Sequence, residues 1–187
     1  MPAEADRQTQ QLRGVLQHLG ATPCTELTIL SDGADGPRSL GEAASVGPTF
    51  HVLDWFHLAM RIQHVAQAVK GWPDNGNDDR QQGARFADAV EHVRWRLWHG
   101  NLDGADWGLL WLAASIDEHL WMAHVTEPET VQARDRTHGV YLRNLLVELR
   151  RYLIANRTSL TNYGAAYRRG ERVATAHVES TVNQVIN

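Results

Sequence analysis

Lysine is almost missing from this chain: of its 18 basic residues, only Lys70 is not arginine. Cysteine is reduced to Cys24, which rules out an intrachain disulfide and any zinc site built on paired thiolates. Long apolar runs are missing too, since the longest patch, Leu109 to Ala114, falls far short of the roughly 20 residues a spanning helix needs. The polar stretch from Met1 to Gln17 has no apolar core of the secretory kind. These absences point to a soluble, cytoplasmic chain with no membrane partner. The ten histidines include no H-E-x-x-H pair, and no internal repeat or low-complexity segment occurs.

What is present is a chain of 187 residues, enough for one core or for a small domain carrying a large insertion. The net charge of −4 gives no sign of a nucleic-acid binder, but its distribution is uneven. Residues 136–187 hold eight arginines against Glu148, Glu171 and Glu179, a net of +5 that leaves −9 on the remainder. A basic C-terminal part on an acidic body suits a surface that faces phosphates, and equally suits arginines on solvated helices.

Taken in order, Leu12, Val15, Leu16 and Leu19 predict a first helix over about Ala3 to Leu19, stopped by Gly20. Glu26–Leu30 reads as a strand ending in the acidic turn Ser31-Asp32-Gly33-Ala34-Asp35-Gly36-Pro37. A short helix around Ser39–Ala44 and a second strand over Thr49–Leu53 follow, close enough for parallel pairing. From Asp54 onward the pattern is helical. Leu58, Ile62, Val65 and Val69 form one stripe, and Phe86, Val90, Val93 and Leu97 form the next. Trp107, Leu110 or Trp111, Ala114 and Ile116 to Leu120 predict a third, and Leu142, Leu145, Leu146, Leu149 and Leu153 a fourth. Asn162-Tyr163-Gly164 reads as a turn, and a last helix is expected to start near Ala174. The tryptophans, mostly on these stripes, are expected to pack between helices.

Asp32 has two readings. A carboxylate at the C-terminal end of a strand is where open α/β sheets place ligand chemistry, and Mg²⁺ favours one or two such groups with water and substrate oxygens. The plainer reading is an Asx-turn or helix cap, and pattern alone favours it. Asp35 reads as a turn or cap residue. Asp54 and His57, three apart at a helix start, share a face, and Asp54 also stands where an N-cap belongs. Glu179 and Asn183 share a face of the last helix, where a solvated glutamate is the ordinary expectation.

Four blocks carry a resemblance. Ser31-Asp32-Gly33-Ala34, Leu53-Asp54-Trp55-Phe56-His57, Asn162-Tyr163-Gly164-x-x-Tyr167-Arg168-x-Gly170 and Ala176-His177-Val178-Glu179-Ser180-Thr181-Val182-Asn183-Gln184 follow one another over nearly the whole chain. Together they resemble the C-terminal half of ISKra-type insertion-sequence transposases, relatives of the Mutator-like transposases. The resemblance implies an α/β, predominantly helical fold. Residues 1–60 would be a partial ribonuclease-H-like core with two strands, 61–160 an all-α insertion, and 161–187 the return to the core with the Glu-bearing helix. It makes Asp32 and Glu179 the second and third acids of an Asp-Asp-Glu triad holding Mg²⁺ (or Mn²⁺). Asp54 and His57 match the Asp-x-x-His signature, and Asn183 is an accessory residue beside Glu179.

DNA is then the expected partner, with a homo-oligomer as a further option, and metal-dependent phosphodiester cleavage and strand transfer the expected chemistry. Local charge places Arg168, Arg169 and Arg172 on the DNA backbone. The first acid of the triad has no counterpart here, so the chain is expected to be a fragment inactive alone. The competing expectations are a non-catalytic helical module that binds DNA or oligomerises, and a remnant without function.

Overall fold

The computed structural model describes residues 2–72, 77–126 and 133–175. The chain forms two compact units: Met1–Phe56 with Glu171–Asn187, and His57–Gly170. It is predominantly helical with one small sheet. Among the described residues, no helix is long and apolar enough to cross a membrane.

The first unit opens with α1 (Pro2–His18). Gly20, at φ +87°, closes it: Ala21 N–H donates to Leu16 O and Gly20 N–H to Gln17 O, so the last carbonyls are satisfied as in a Schellman cap. Strand β1 (Leu27–Ser31) leads into α2 (Asp35–Ala44) and then β2 (Thr49–Leu53). The strands pair in parallel, Leu27 opposite Thr49 through Ser31 opposite Leu53. Helix α2 starts four residues earlier than its sequence pattern suggests, because Pro37 falls in the first turn, where a missing N–H leaves no carbonyl unpaired. Its C-terminal carbonyls, those of Ala43 and Ala44, accept from the Arg13 guanidinium on α1. Gly41 lets α2 lie close on the sheet, since a Cβ there would come within 2.7 Å of Ile29 Cδ1. Among the described residues of this unit, the buried apolar members are Ile29, Ala44, Leu53 and Val173.

Among its described residues the second unit is helical: α3 (Trp55–Lys70, entered from the first unit), α4 (Asn77–Trp98), α5 (Leu102–Thr126), α6 (Ala133–Ala155), a 3-10 turn at Arg157–Ser159 and α7 (Tyr163–Arg168). The stripes Leu58, Ile62, Val65, Val69 and Phe86, Val90, Val93, Leu97 are buried as their spacing predicts, and so are Leu142, Leu146, Leu149 and Leu153 on α6. Among the described residues, the ion pairs Arg150–Asp106 at 2.6 Å and Arg143–Asp117 at 2.9 Å join α6 to α5, and Arg157–Asp103 at 2.8 Å joins the 3-10 turn to α5. Being largely exposed, they fix the register of the two helices more than they stabilise them. The stretch Asn162-Tyr163-Gly164 is not a turn but the start of α7. Asn162 Oδ1 accepts Ala165 N–H at 2.8 Å as the cap, Tyr163 is fully buried, and Gly164 packs against the Trp98 indole.

The tryptophans depart from expectation. Trp72 is buried against Phe86, with ring centroids 4.8 Å apart, but Trp95, Trp107, Trp111 and Trp121 are exposed. On α5 the reason is that apolar residues surround the helix, so periodicity does not single out a face. Ala105, Leu109, Leu112 and Ile116 fill the core, and the stripe holding Trp107 and Trp111 is left outward. Substituting Phe86→Ala is expected to cost about 3–5 kcal/mol in urea denaturation, whereas Trp107→Ala stays within about 0.5 kcal/mol. Equal losses would contradict this assignment of faces.

Candidate functional site

The C-terminal ends of the two strands gather the chemistry-bearing residues of the first unit. Ser31, the last residue of β1, is buried, and Asp32 beside it is exposed. Gly33 takes φ +92°, a conformation that side chains resist, and so turns the chain sharply after the carboxylate. Asp32 Oδ1 accepts the Ala34 N–H at 3.0 Å, the Asx-turn that pattern alone favours. That bond holds the carboxylate at the strand end and leaves it open to solvent, so turning the chain and binding a ligand are compatible roles. Asp35 lies in the first turn of α2, and Ala34 is the cap residue without a side-chain bond.

Asp54 is wholly buried. Its N–H donates to Ser31 O at 2.8 Å, joining the two strand ends. Its carboxylate caps α3 by accepting Phe56 N–H at 3.0 Å. The same carboxylate accepts the Thr175 N–H at 3.1 Å and the Thr175 hydroxyl. One residue on, Trp55 N–H donates to Val173 O at 2.9 Å. The segment Glu171–Thr175 is thus fastened to the end of β2. Glu171–Thr175 carries no helix, and the stretch from 176 onward, where most of the helix expected from about Ala174 would fall, lies outside the described residues.

A group that sequence reading passed over also sits here. His51 Nε2 lies 2.7 Å from Ser31 Oγ, and Gly33 N–H donates to the same hydroxyl at 3.3 Å. The parallel register could have revealed it: His51 pairs with Ile29 and so points to the same face as Ser31, two residues further along β1. Burial holds the His51 pKa below its ordinary value of 6.5; the positive charge of Arg38 lowers it further and Glu42 opposes.

Of the remaining candidates, His57 is half-buried in the first turn of α3. Arg168 and Arg169 end α7 and Arg172 follows Gly170, all three exposed. Glu179 and Asn183 lie outside the described residues. Among the described residues no cluster of three His, Cys, Asp or Glu side chains could hold a metal ion. No family model, no curated protein and no solved structure matches the chain.

Two outcomes follow. Asp54→Ala strands the Phe56 and Thr175 donors, and is expected to lower stability by about 2–4 kcal/mol and to remove the hydrogen-exchange protection of the Thr175 amide. Because the His51 pKa is lowered in the folded chain, the unfolded chain binds more protons just below pH 6.5. Stability is therefore full above that pH and falls as the pH drops toward the folded value. Urea midpoints measured on either side of that window should show the fall, and His51→Gln should flatten it.

Proposed function

We propose that this chain carries the second and third acids of an Asp-Asp-Glu DNA transposase, Asp32 and Glu179, on a ribonuclease-H-like strand pair interrupted by a helical insertion. The observation that supports this reading is the docking of Glu171–Thr175 at the strand ends. Thr175 is bonded to Asp54, Asp54 is bonded to Ser31, and Ser31 precedes Asp32. Thr175 is fastened at the edge where Asp32 stands, and Glu179 follows it by four residues in the sequence.

The residues fit a hard divalent cation. Asp32 offers carboxylate oxygen at an exposed strand end, and Mg²⁺ needs only one or two carboxylates besides water and phosphate oxygens. Asp32 and Glu179 would hold Mg²⁺ (or Mn²⁺), which when bound supplies an activated nucleophile and charge stabilisation for phosphodiester cleavage and strand transfer. The chain's own part is positional. The Asx-turn orients Asp32, and the buried Asp54 holds the return segment in place. Arg168, Arg169 and Arg172 meet DNA phosphates without reading sequence. His57 and Asn183 keep the accessory places that the motif resemblance gives them.

A second reading is a non-catalytic helical module that binds DNA or self-associates, and the exposed apolar residues of α5 favour it. Titration with Mn²⁺ separates the two. Asp32→Asn and Glu179→Gln are each expected to weaken Mn²⁺ binding about tenfold or more. Unchanged affinity in both, with salt-dependent DNA binding intact, would select the second reading. With only two of three acids mapped onto it, the 187-residue chain alone is expected to nick DNA weakly. Robust Mg²⁺-dependent nicking abolished by Asp32→Ala would overturn that expectation.

A further inference from the structure

Within the helical unit, α4 and α5 border a groove of about 590 Å³ that lies outside the strand-end site. One wall is a single face of α4, bearing Arg85, Asp88, His92 and Arg96. The other is α5, bearing Trp107 and Trp111 one helical turn apart. These indoles are 72% and 50% exposed, unusual for the largest apolar side chain. Gly108 sits between the walls: a Cβ there would come 2.8 Å from Val93 Cγ2 and 3.2 Å from Arg96 Nη1. With glycine there the helices close, and the Arg96 guanidinium lies against α5 in the groove that Trp107 and Trp111 also line. Arg96 is held there by donating to Gly104 O at 2.8 Å. Among the described residues, no ion pair neutralises Arg85 or Arg96.

We propose that this groove binds a single-stranded nucleic acid, with bases on Trp107 and Trp111 and phosphates on Arg85 and Arg96. Charge favours such a ligand, because two arginines outweigh the one acid, Asp88, in a chain whose net charge is −4. Spacing favours a single strand over a duplex. Residues four apart on a helix are separated by about 6 Å along its axis, nearly twice the roughly 3.4 Å between stacked nucleotides of a duplex strand. Only an unstacked strand offers separate base faces to both rings, and aromatic platforms beside arginines bind such strands with little regard to sequence. The groove deepens the DNA-binding side of the proposed function and rests on no metal or acid of the strand-end site.

The test is quenching of tryptophan fluorescence by a short single-stranded oligonucleotide, with its duplex as the control and divalent metal chelated throughout. The single strand is expected to bind more tightly than the duplex. Trp107→Ala and Trp111→Ala should each weaken it about 5- to 100-fold, and the corresponding phenylalanine variants should restore most of the loss. Arg85→Gln should reduce the slope of log affinity against log salt by about 0.7, the value of one phosphate. Duplex binding as tight as single-strand binding, or alanine variants with unchanged affinity, would overturn the proposal. So would a change in sedimentation on Trp107→Ala without a change in oligonucleotide affinity, which would assign the groove to a second copy of the chain. Because the assay contains no divalent metal, its failure leaves the Asp32–Glu179 reading standing, and loss of Mn²⁺ binding in that pair leaves the groove standing.

Discussion

A carboxylate taken out of water is costly unless donors surround it, and the fully buried Asp54 meets that demand from three directions. It receives the Phe56 amide at the start of α3, and the amide and hydroxyl of Thr175, which lies 121 residues further along the chain. Its own amide closes onto Ser31. Detaching the return segment would leave the charge with fewer donors than burial requires, so the segment stays where the strands end. The strand-end site depends on that placement. Asp32 needs only the turn it already makes, whereas a distant partner needs an anchor.

The helical unit follows a different constraint. Its helices are joined by close approaches at glycine and by a ladder of ion pairs, and its core is made of aliphatic stripes with Phe86 and Tyr163. Helix α5 is the exception, because it is apolar on the side it buries and largely apolar on the side it does not. Burial of Ala105, Leu109, Leu112 and Ile116 satisfies the core completely, which frees the opposite indoles for a ligand. Their exposure leaves apolar surface in water, which folding alone does not explain.

How much of this was legible in the sequence varied with the range of the interaction. The stripes of α3, α4 and α6 were readable because one face of each is polar and the other is not. The two strands were also readable, with parallel pairing inferred from their short connection. On α5 apolar residues occur on every side, so spacing pointed to Trp107 and Trp111 as core and was wrong. Asp54 was recognisable as a cap, since a cap is defined by its neighbours; its bond to Thr175 was not, since nothing local encodes a partner so far away. His51 was passed over for a related reason: its bond to Ser31 exists only once the strand register is known. The turn at Asp32 was legible because its residues are adjacent, whereas a metal ligand is defined by what faces it and has no local pattern.

We propose that Asp54 brings the segment carrying Glu179 to the strand end carrying Asp32. A proximity measurement tests it most directly. In a chain with the exposed Cys24 replaced by serine, Asp32→Cys and Glu179→Cys are combined and treated with a short thiol–thiol cross-linker. The account predicts an efficient intramolecular cross-link that is lost when Asp54→Ala is added. Failure to cross-link in a chain that remains folded by circular dichroism would contradict it.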